Sequence, residues 1–343
     1  MSLDETLLTH GTASPFLPGT SIQYAWDSTC LGLIKTCPRL YQYTMIEGWT
    51  GRSESIHLRF GIEYHHALEF HAHQLAEGIE YEIAIQNTIR EVLIRTEGWD
   101  VDQSTKAGKY KNRESLLSLV VDYLDHFTDD PCSTYIRSDG VPAVELSFRF
   151  ELDWGPEAAA FRSTDPDLNT ALDLDAAYIE SLGGDSGPTF TSQPYLLSGH
   201  LDRVVSFNDH LFVMDHKTTT TTPGDRYFDQ YDVSNQMTLY TLAGQMVLHS
   251  PIKGVMIRAA QILLEKPHRF IVGFTYRTPD QIEEWLADLR IHLSLAEQYA
   301  VAGYWPMNDT ACDKYGGCKF RGVCSKSPHV REMFLRSDCI PQP

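Results

Sequence analysis

Asp215 and Lys217 stand two residues apart in the run FVMDHKTT, residues 212–219. In a β-strand, residues i and i+2 project to the same side, so a strand here delivers an acid and a lysine to one place. Upstream lies Gly199-His200-Leu201-Asp202, on an apolar stretch that a hairpin at Asn208-Asp209 would bring beside Asp215. Two carboxylates forced together raise each other's pKa unless a cation lies between them. Hard oxygen ligands suit Mg²⁺ or Mn²⁺. A metal held there polarises a phosphate and activates a water, with Lys217 to orient that water or offset developing charge. The plainer alternative is a strand-end ion pair with a second acid nearby by chance.

The tail carries a second chemical pattern. Cys312, Cys318 and Cys324 are spaced six apart in a glycine-containing stretch, a pattern that suits soft-metal ligation by thiolates. A fourth ligand is missing locally. Cys37, in TCPRLY, is the candidate from the other end of the chain, and Cys30 is its rival. Zinc in a Cys₄ site is one metal that such thiolates hold. Seven cysteines without an export signal do not make a disulfide framework, and Cys132 and Cys339 are read as ordinary thiols.

These residues sit in a chain of ordinary globular composition, 343 residues with 42% hydrophobic and 22% charged. No window is long and apolar enough to span a membrane, and the N-terminus lacks the basic start and apolar core of a signal peptide, so a cytoplasmic location is expected. A net charge of −18 argues against broad nucleic-acid affinity. The charge is uneven, however. Residues 151–194 hold nine acids and one base, whereas KAGKYKNR, residues 106–113, holds four bases and no acid. Lys106, Lys109, Lys111 and Arg113 around Tyr110 form one basic strip with an aromatic. Lys319 and Arg321 beside Phe320 belong to another. Bases interleaved with aromatics suit single-stranded backbone tracking and base stacking, with a solvated surface as the alternative.

Helical periodicity covers residues 60–76, 80–97 and 112–127, with Ser28 expected to cap an earlier helix. The period then changes to two. Residues 144–150, 195–207 and 210–215 read as strands, followed by a helix from Ser234 to His249, strands at 252–264 and 269–276, and a helix from Thr278 to about Gly303. Residues 153–194, rich in Asp, Gly, Ser and Pro, read as an acidic insertion. No GxxxxGK[ST] loop is present, so no P-loop motor is encoded. Glu145, on the first long strand, is read as structural, with a site role as the alternative. Four histidines within residues 65–73 also permit a separate zinc site.

Gly199-His-Leu-Asp202, then Asp215-His-Lys217, then Gln236-Met-Thr-Leu-Tyr240 resembles the PD-(D/E)XK nuclease superfamily, and more narrowly its RecB-type branch with the Q-x-x-x-Y motif. Gly61-Ile-Glu-Tyr-His65 matches that branch's upstream G-x-x-x-H. The resemblance implies that His65, Asp202, Asp215 and the backbone carbonyl of His216 ligate Mg²⁺ or Mn²⁺, that Lys217 is the catalytic lysine, and that Gln236 and Tyr240 line the site rim from one helix face. The cysteines resemble the branch's iron–sulfur subgroup, which includes AddB-type domains and CRISPR-associated exonucleases. That implies a [4Fe–4S] cluster on Cys37, Cys312, Cys318 and Cys324.

The implied fold is an α/β restriction-endonuclease-like core, a central mixed sheet flanked by helices, with a helical N-terminal part and a cysteine-rich tail. Residues 1–27 would be a lead-in and 28–330 a single nuclease domain. Its helical part would be 28–130, its core 140–303 and its cluster-binding tail 305–326, with 331–343 a C-terminal tail. The implied activity is metal-dependent hydrolysis of DNA, exonucleolytic on single strands, in recombination, repair, phage or defence processes of a bacterial or phage-infected cell. The protein would act alone on exposed ends or work beside a helicase or recombinase. The alternatives are a non-cleaving DNA-binding or assembly module of the same fold and an RNA-directed nuclease.

Overall fold

The switch of period near residue 140 marks where helices give way to strands in the computed structural model, which describes residue 16 and residues 21–52, 55–155, 194–265, 267–313 and 317–341. In chain order these are β1 (Ala25–Trp26), α1 (Ser28–Thr36), α2 (Pro38–Tyr41), a π-helical turn (Gln42–Ile46), β2 (Trp49–Gly51), α3 (Ile56–Ala76), α4 (Tyr81–Arg95), α5 (Lys106–Tyr110), α6 (Arg113–His126) and β3 (Ser133–Thr134). Then follow β4 (Val144–Glu151), β5 (Leu196–Phe207), β6 (His210–Thr219), α7 (Asp225–Asp229), α8 (Asn235–Leu248), β7 (Ile252–Gln261), β8 (Arg269–Thr275) and α9 (Pro279–Val301). The tail forms α10 (Arg321–Cys324), α11 (Arg331–Asp338) and β9 (Cys339–Pro341). The fold is mixed α/β, with a central mixed sheet flanked by helices. Most of the acidic insertion, residues 156–193, and most of the N-terminal lead-in lie outside the described residues.

The chain divides into two compact units, one of Ser53–Phe148 and His200–Ile282, the other of Met1–Arg52, Arg149–Gly199 and Glu283–Pro343. In the first, β5 and β6 form the expected antiparallel hairpin, turned by Asn208 and Asp209 at φ +48° and +62°. Both turn residues are left-handed, as the tight two-residue hairpin requires. Strand β6 continues to Thr219, past the end read from its apolar run, because β7 pairs with it in parallel from Leu211 through Thr219. The crossover between them is α8, and β8 pairs antiparallel to β7. Buried on nearly every residue, β7 is the inner strand that a parallel pairing demands.

Helix α3 starts at Ser55, whose side chain accepts from the Leu58 N–H. Phe60, Tyr64, Ala67, Leu68, His71 and Ala72 form its buried stripe at helical spacing. The stripe packs with Val92 of α4, Leu116, Leu119 and Tyr123 of α6, and Ala260 and Ile262 at the end of β7. A second cluster joins Val205, Phe212, Met214 and Met256 of the sheet to Cys132. On α8, Gln236, Tyr240 and Gly244 recur at four-residue spacing, on one face. A Cβ at Gly244 would stand 2.9 Å from Ile252 Cγ1 and 3.1 Å from Val213 Cγ2, so glycine lets α8 settle on β6 and β7.

In the second unit, α1 is capped by Asp27, whose carboxylate accepts from the Cys30 N–H at 2.7 Å, rather than by Ser28, which is the first helical residue. Trp26 stacks on Tyr41, and Tyr41 meets Trp305. β2 and β9 pair antiparallel, Thr50 opposite Ile340, which ties the end of the described chain to its beginning. Tyr195 donates to the buried Glu297 at 2.6 Å.

Gly244→Val is expected to destabilise the protein by about 1–3 kcal/mol through overpacking against Ile252 and Val213. Denaturant unfolding measures it. An unchanged midpoint would mean that α8 has slack at this crossing.

Candidate active site

Alternation along β6 sends Asp215 and Lys217 to one face of the sheet and Met214 and His216 to the other. Asp215 is fully buried. The Lys217 ammonium lies 2.9 Å from its carboxylate and donates to Oδ1. Lys217 also donates to Gln236 Oε1 at 3.0 Å, and Gln236 Nε2 donates to the Tyr240 hydroxyl at 2.9 Å. The two residues read from the helix face thus form a chain, Tyr240–Gln236–Lys217–Asp215. Asp215 Oδ2 is buried too, and its one described partner is the same ammonium, an ion contact at 2.9 Å.

Asp202, on β5, takes its partner from α3: His65 Nδ1 lies 3.0 Å from Asp202 Oδ2. The same oxygen accepts from the His216 N–H at 3.4 Å. In an extended strand a residue's N–H and C=O point to the same edge, so the His216 carbonyl is also directed toward Asp202. His65, Asp202, Asp215 and Lys217 belong to one electrostatic group. Burial raises the Asp202 carboxyl, but the charge and hydrogen bond of His65, with His216 and Lys217, hold it down at about 2. Asp215 is raised, by burial first, with the Asp202 charge adding to it against the pull of Lys217. For Lys217, burial works to lower the ammonium pKa and Asp215 outweighs it, so the net direction is up. His65 follows the same logic, lowered by burial and raised further by Asp202.

The His216 ring faces the other way. Burial, chiefly, keeps it far below the ordinary imidazole range, hence neutral. Its Nε2 lies 3.0 Å from the Tyr123 hydroxyl, which itself accepts from Arg258 Nη1 at 2.8 Å. With that donor in place, Tyr123 donates its proton to His216. Arg258 is held bidentate by Asp130 at 2.9 and 2.6 Å. The strand bearing the acid and lysine is therefore pinned from behind by a hydrogen-bonded network.

Glu69 and Glu145 are brought together beside this group. Burial first, then a hydrogen bond to Glu145 and the charges of Glu145 and Asp202, push the Glu69 carboxyl up to about 7. Glu145 sits in the left-handed region, φ +47°, inside β4. The only trace of this pair in the sequence is the four-residue step from His65 to Glu69 on one helix face. Tyr227 of α7 also acts electrostatically on Lys217, with its hydroxyl 3.3 Å from that of Tyr231.

The basic strip is not uniform. Lys106 and Lys109 are exposed. Lys111 is 7% exposed, donates to Thr218 Oγ1 at 3.3 Å and lies over the Phe60 ring, with burial lowering its pKa. Arg113 is taken up by Thr96 Oγ1 and the Leu93 carbonyl at the end of α4. In the other unit, Lys319 is exposed over Phe320, and Arg321 pairs with Asp313.

Cys37, Cys312, Cys318 and Cys324 line one small cavity with Leu40 and Tyr43. The Asn308 N–H points to Cys37 Sγ at 3.3 Å. Cys30 lies elsewhere, beside Asp27 and Gln23, with its thiol pushed up to about 12 mainly by burial. Cys132 packs on Met256, and Cys339 joins the cluster around Phe320. Among the described residues, no three His, Cys, Asp or Glu side chains stand ready-grouped to hold a metal ion. At the first site, His65 is spent on Asp202 and Lys217 on Asp215. The separate zinc site among the four helical histidines is not formed: His66 lies against Glu91, and His71 against Thr88 and Tyr81. No helix among the described residues is long and apolar enough to cross a membrane.

The sequence model of the PD-(D/E)XK nuclease superfamily matches residues 29–325, and the chain belongs to that superfamily. Among solved structures, it is similar to the protein named "Putative exonuclease" from Eubacterium rectale, at 10% identity and a TM-score of 0.46, over 97% of this chain and 98% of that one. No curated protein matches the sequence.

A carboxyl whose folded pKa is raised contributes stability that is present below its unfolded pKa and lost as pH rises through the folded one. For Glu69 in metal-free protein that window runs from 4.5 to about 7. Glu69→Gln is expected to remove this loss, so that the variant gains stability relative to the parent on the alkaline side of the window. Denaturant unfolding on both sides of the window measures it, and parallel pH profiles would refute it.

Proposed function

We propose that this PD-(D/E)XK superfamily member is a Mg²⁺- or Mn²⁺-dependent deoxyribonuclease that degrades single-stranded DNA from its ends. The observation that carries the reading is the buried Asp215 carboxylate, set in one electrostatic group with Asp202 and His65 and with a lysine clamped over it. Two acids held this near raise each other's pKa unless a cation lies between them, and carboxylate, carbonyl and imidazole donors suit a divalent ion. His65, Asp202, Asp215 and the His216 carbonyl would hold it. When bound, such an ion supplies a polarised phosphate and a water of lowered pKa.

The chain's own residues do the rest. Asp215 keeps Lys217 protonated despite burial, so the lysine acts as a charged donor to the attacking water or the phosphate, not as a base. Gln236 gives the ammonium an anchor independent of Asp215, and Tyr240 fixes the Gln236 amide. Lys111, a nearly buried cation whose one described hydrogen bond is to a neutral threonine on β6, is suited to hold a phosphate next to the reacting one. Lys106 and Lys109, and Lys319 and Arg321 near the cysteines, are the candidate backbone contacts. We read 28–330 as one nuclease domain in the functional sense, working on exposed ends or beside a helicase or recombinase in the cytoplasm.

Cys37, Cys312, Cys318 and Cys324 are proposed to hold a [4Fe–4S] cluster, with zinc as the chemical alternative. Their common cavity supports the choice of Cys37 over Cys30. The cluster would join the segment around Cys37 to the tail and so act first as a structural staple.

Anaerobically purified protein with Mn²⁺ is expected to shorten end-labelled single-stranded DNA. Lys217→Ala and Asp215→Ala are each expected to lose at least about 100-fold in rate. Intact DNA with the parent protein, or cleavage retained in both variants, would overturn the reading; preferential loss of an RNA strand would redirect it.

Iron and acid-labile sulfide analysis of the same preparation is expected to find a cluster that Cys324→Ser loses and Cys30→Ser keeps. Zinc in place of iron and sulfide would correct the cofactor.

A further inference from the structure

Behind β6, a cavity of about 440 Å³ opens to solvent within the unit that holds the site, walled by α3, α6 and the β3 side of the sheet. Its size falls within the several hundred Å³ of small-molecule sites. Leu68, Leu75 and Ala76 of α3 give it an apolar wall, Phe127 and Tyr81 add ring faces, and Arg203 brings a guanidinium. Nothing in the proposed nuclease chemistry uses this space, since the acid and lysine of β6 face the other way.

Arg203 is the informative residue. It is partly buried, and its single described hydrogen bond runs from Nε to Thr134 Oγ1 at 2.9 Å. Its two terminal nitrogens have no partner among the described residues. The neighbouring carboxylate, Asp130, spends both oxygens on Arg258; its charge still favours that of Arg203, while burial first and then the Arg258 charge work against it. No carboxylate oxygen in the cavity wall is therefore left to pair with the Arg203 terminal nitrogens. Partly desolvated guanidinium groups bind planar oxyanions through paired N–H donors.

We propose that this cavity is a binding site for a small molecule carrying one oxyanion group on a flat body, the oxyanion on Arg203 and the body between the α3 wall and Phe127. A nucleoside monophosphate and an aryl carboxylate share that chemistry. An occupant would touch the His216 ring, the back of the strand that presents Asp215 and Lys217.

The test is calorimetric titration of the full chain without added divalent metal, using deoxythymidine 5′-monophosphate, benzoate and inorganic phosphate as separate probes. Saturable binding of the nucleotide or of benzoate is expected, and the one that binds identifies the source. It should weaken at least about tenfold in Arg203→Met and be lost in Ala76→Trp, which fills the cavity from the end of α3, while surviving in Lys217→Ala. Should Arg203→Met fail to fold, Ala76→Trp decides alone. The proposal is overturned by no binding of either probe, by inorganic phosphate binding as tightly as both, by binding unmoved by the substitutions, or by binding lost in Lys217→Ala instead. Because it reads binding and not cleavage, the result stands whether or not the nuclease reading does.

Discussion

A carboxylate with no exposure to solvent, Asp215, is the constraint around which the sheet unit is arranged. Burying a charge without partners costs several kcal/mol, of the order that single domains have in reserve. The surroundings answer that cost with Lys217, and Lys217, itself desolvated, then needs holding. Gln236 holds it, and Tyr240 holds Gln236. One buried acid therefore dictates the residue two places along its own strand and two positions of the crossover helix. It also explains why Gly244 stands a further turn along that face, because the helix must come close enough for a glutamine to reach the ammonium. The compensation is incomplete, since one ammonium serves both carboxylate oxygens and the neighbouring Asp202 adds repulsion. A structure that leaves an acid pair in this state is poised to gain from a cation.

The two faces of β6 divide the work. Asp215 and Lys217 face the crossover helix; His216, between them, is locked by Tyr123, Arg258 and Asp130. A neutral imidazole in that lock cannot drift without breaking a charge-assisted chain. The face that carries Asp215 and Lys217 is thereby tied at its root, which is what the proposed chemistry would ask of it. The His216 N–H, bonded to Asp202, ties the same residue to the other carboxylate. A residue that reads in the sequence as the filler of D-x-K is thus the mechanical link between the acids and the helices behind them.

Much of this was legible because period and pairing are local. Alternation located β4 through β6, the Asn208-Asp209 pair located the hairpin, and four-residue spacing put Gln236 and Tyr240 on one face. What escaped notice depends on distant partners. The end of β6 was read at Asp215 because charged residues break an apolar run, yet the strand persists to Thr219 because β7 supplies a parallel ladder. Basic residues look alike in sequence, but Lys111 is buried on Thr218, Arg113 caps α4 and Arg321 pairs with Asp313. Asp27 rather than Ser28 caps α1, a one-residue choice that either side chain could make. The Glu69–Glu145 pair joins a helix to a strand 76 positions later through a left-handed residue inside that strand. No propensity announces such a contact.

His65 and Asp202 show the same limit from the functional side. They are 137 positions apart, and their 3.0 Å contact exists only when α3 has packed on the sheet. The stripe that packs it, Phe60, Tyr64 and Leu68, brackets His65 on the same helix. Rotating α3 enough to free His65 would expose that stripe, so the position of His65 is enforced by hydrophobic burial and not by the histidine's own hydrogen bond. A site whose charges are costly when buried is in this way assembled by apolar residues that gain from burial, and the two free energies are settled in one folding step. That is why a chain with a large negative net charge can still hold two acids within electrostatic reach of each other: the repulsion is local, while the packing that opposes it is spread over a whole helix face.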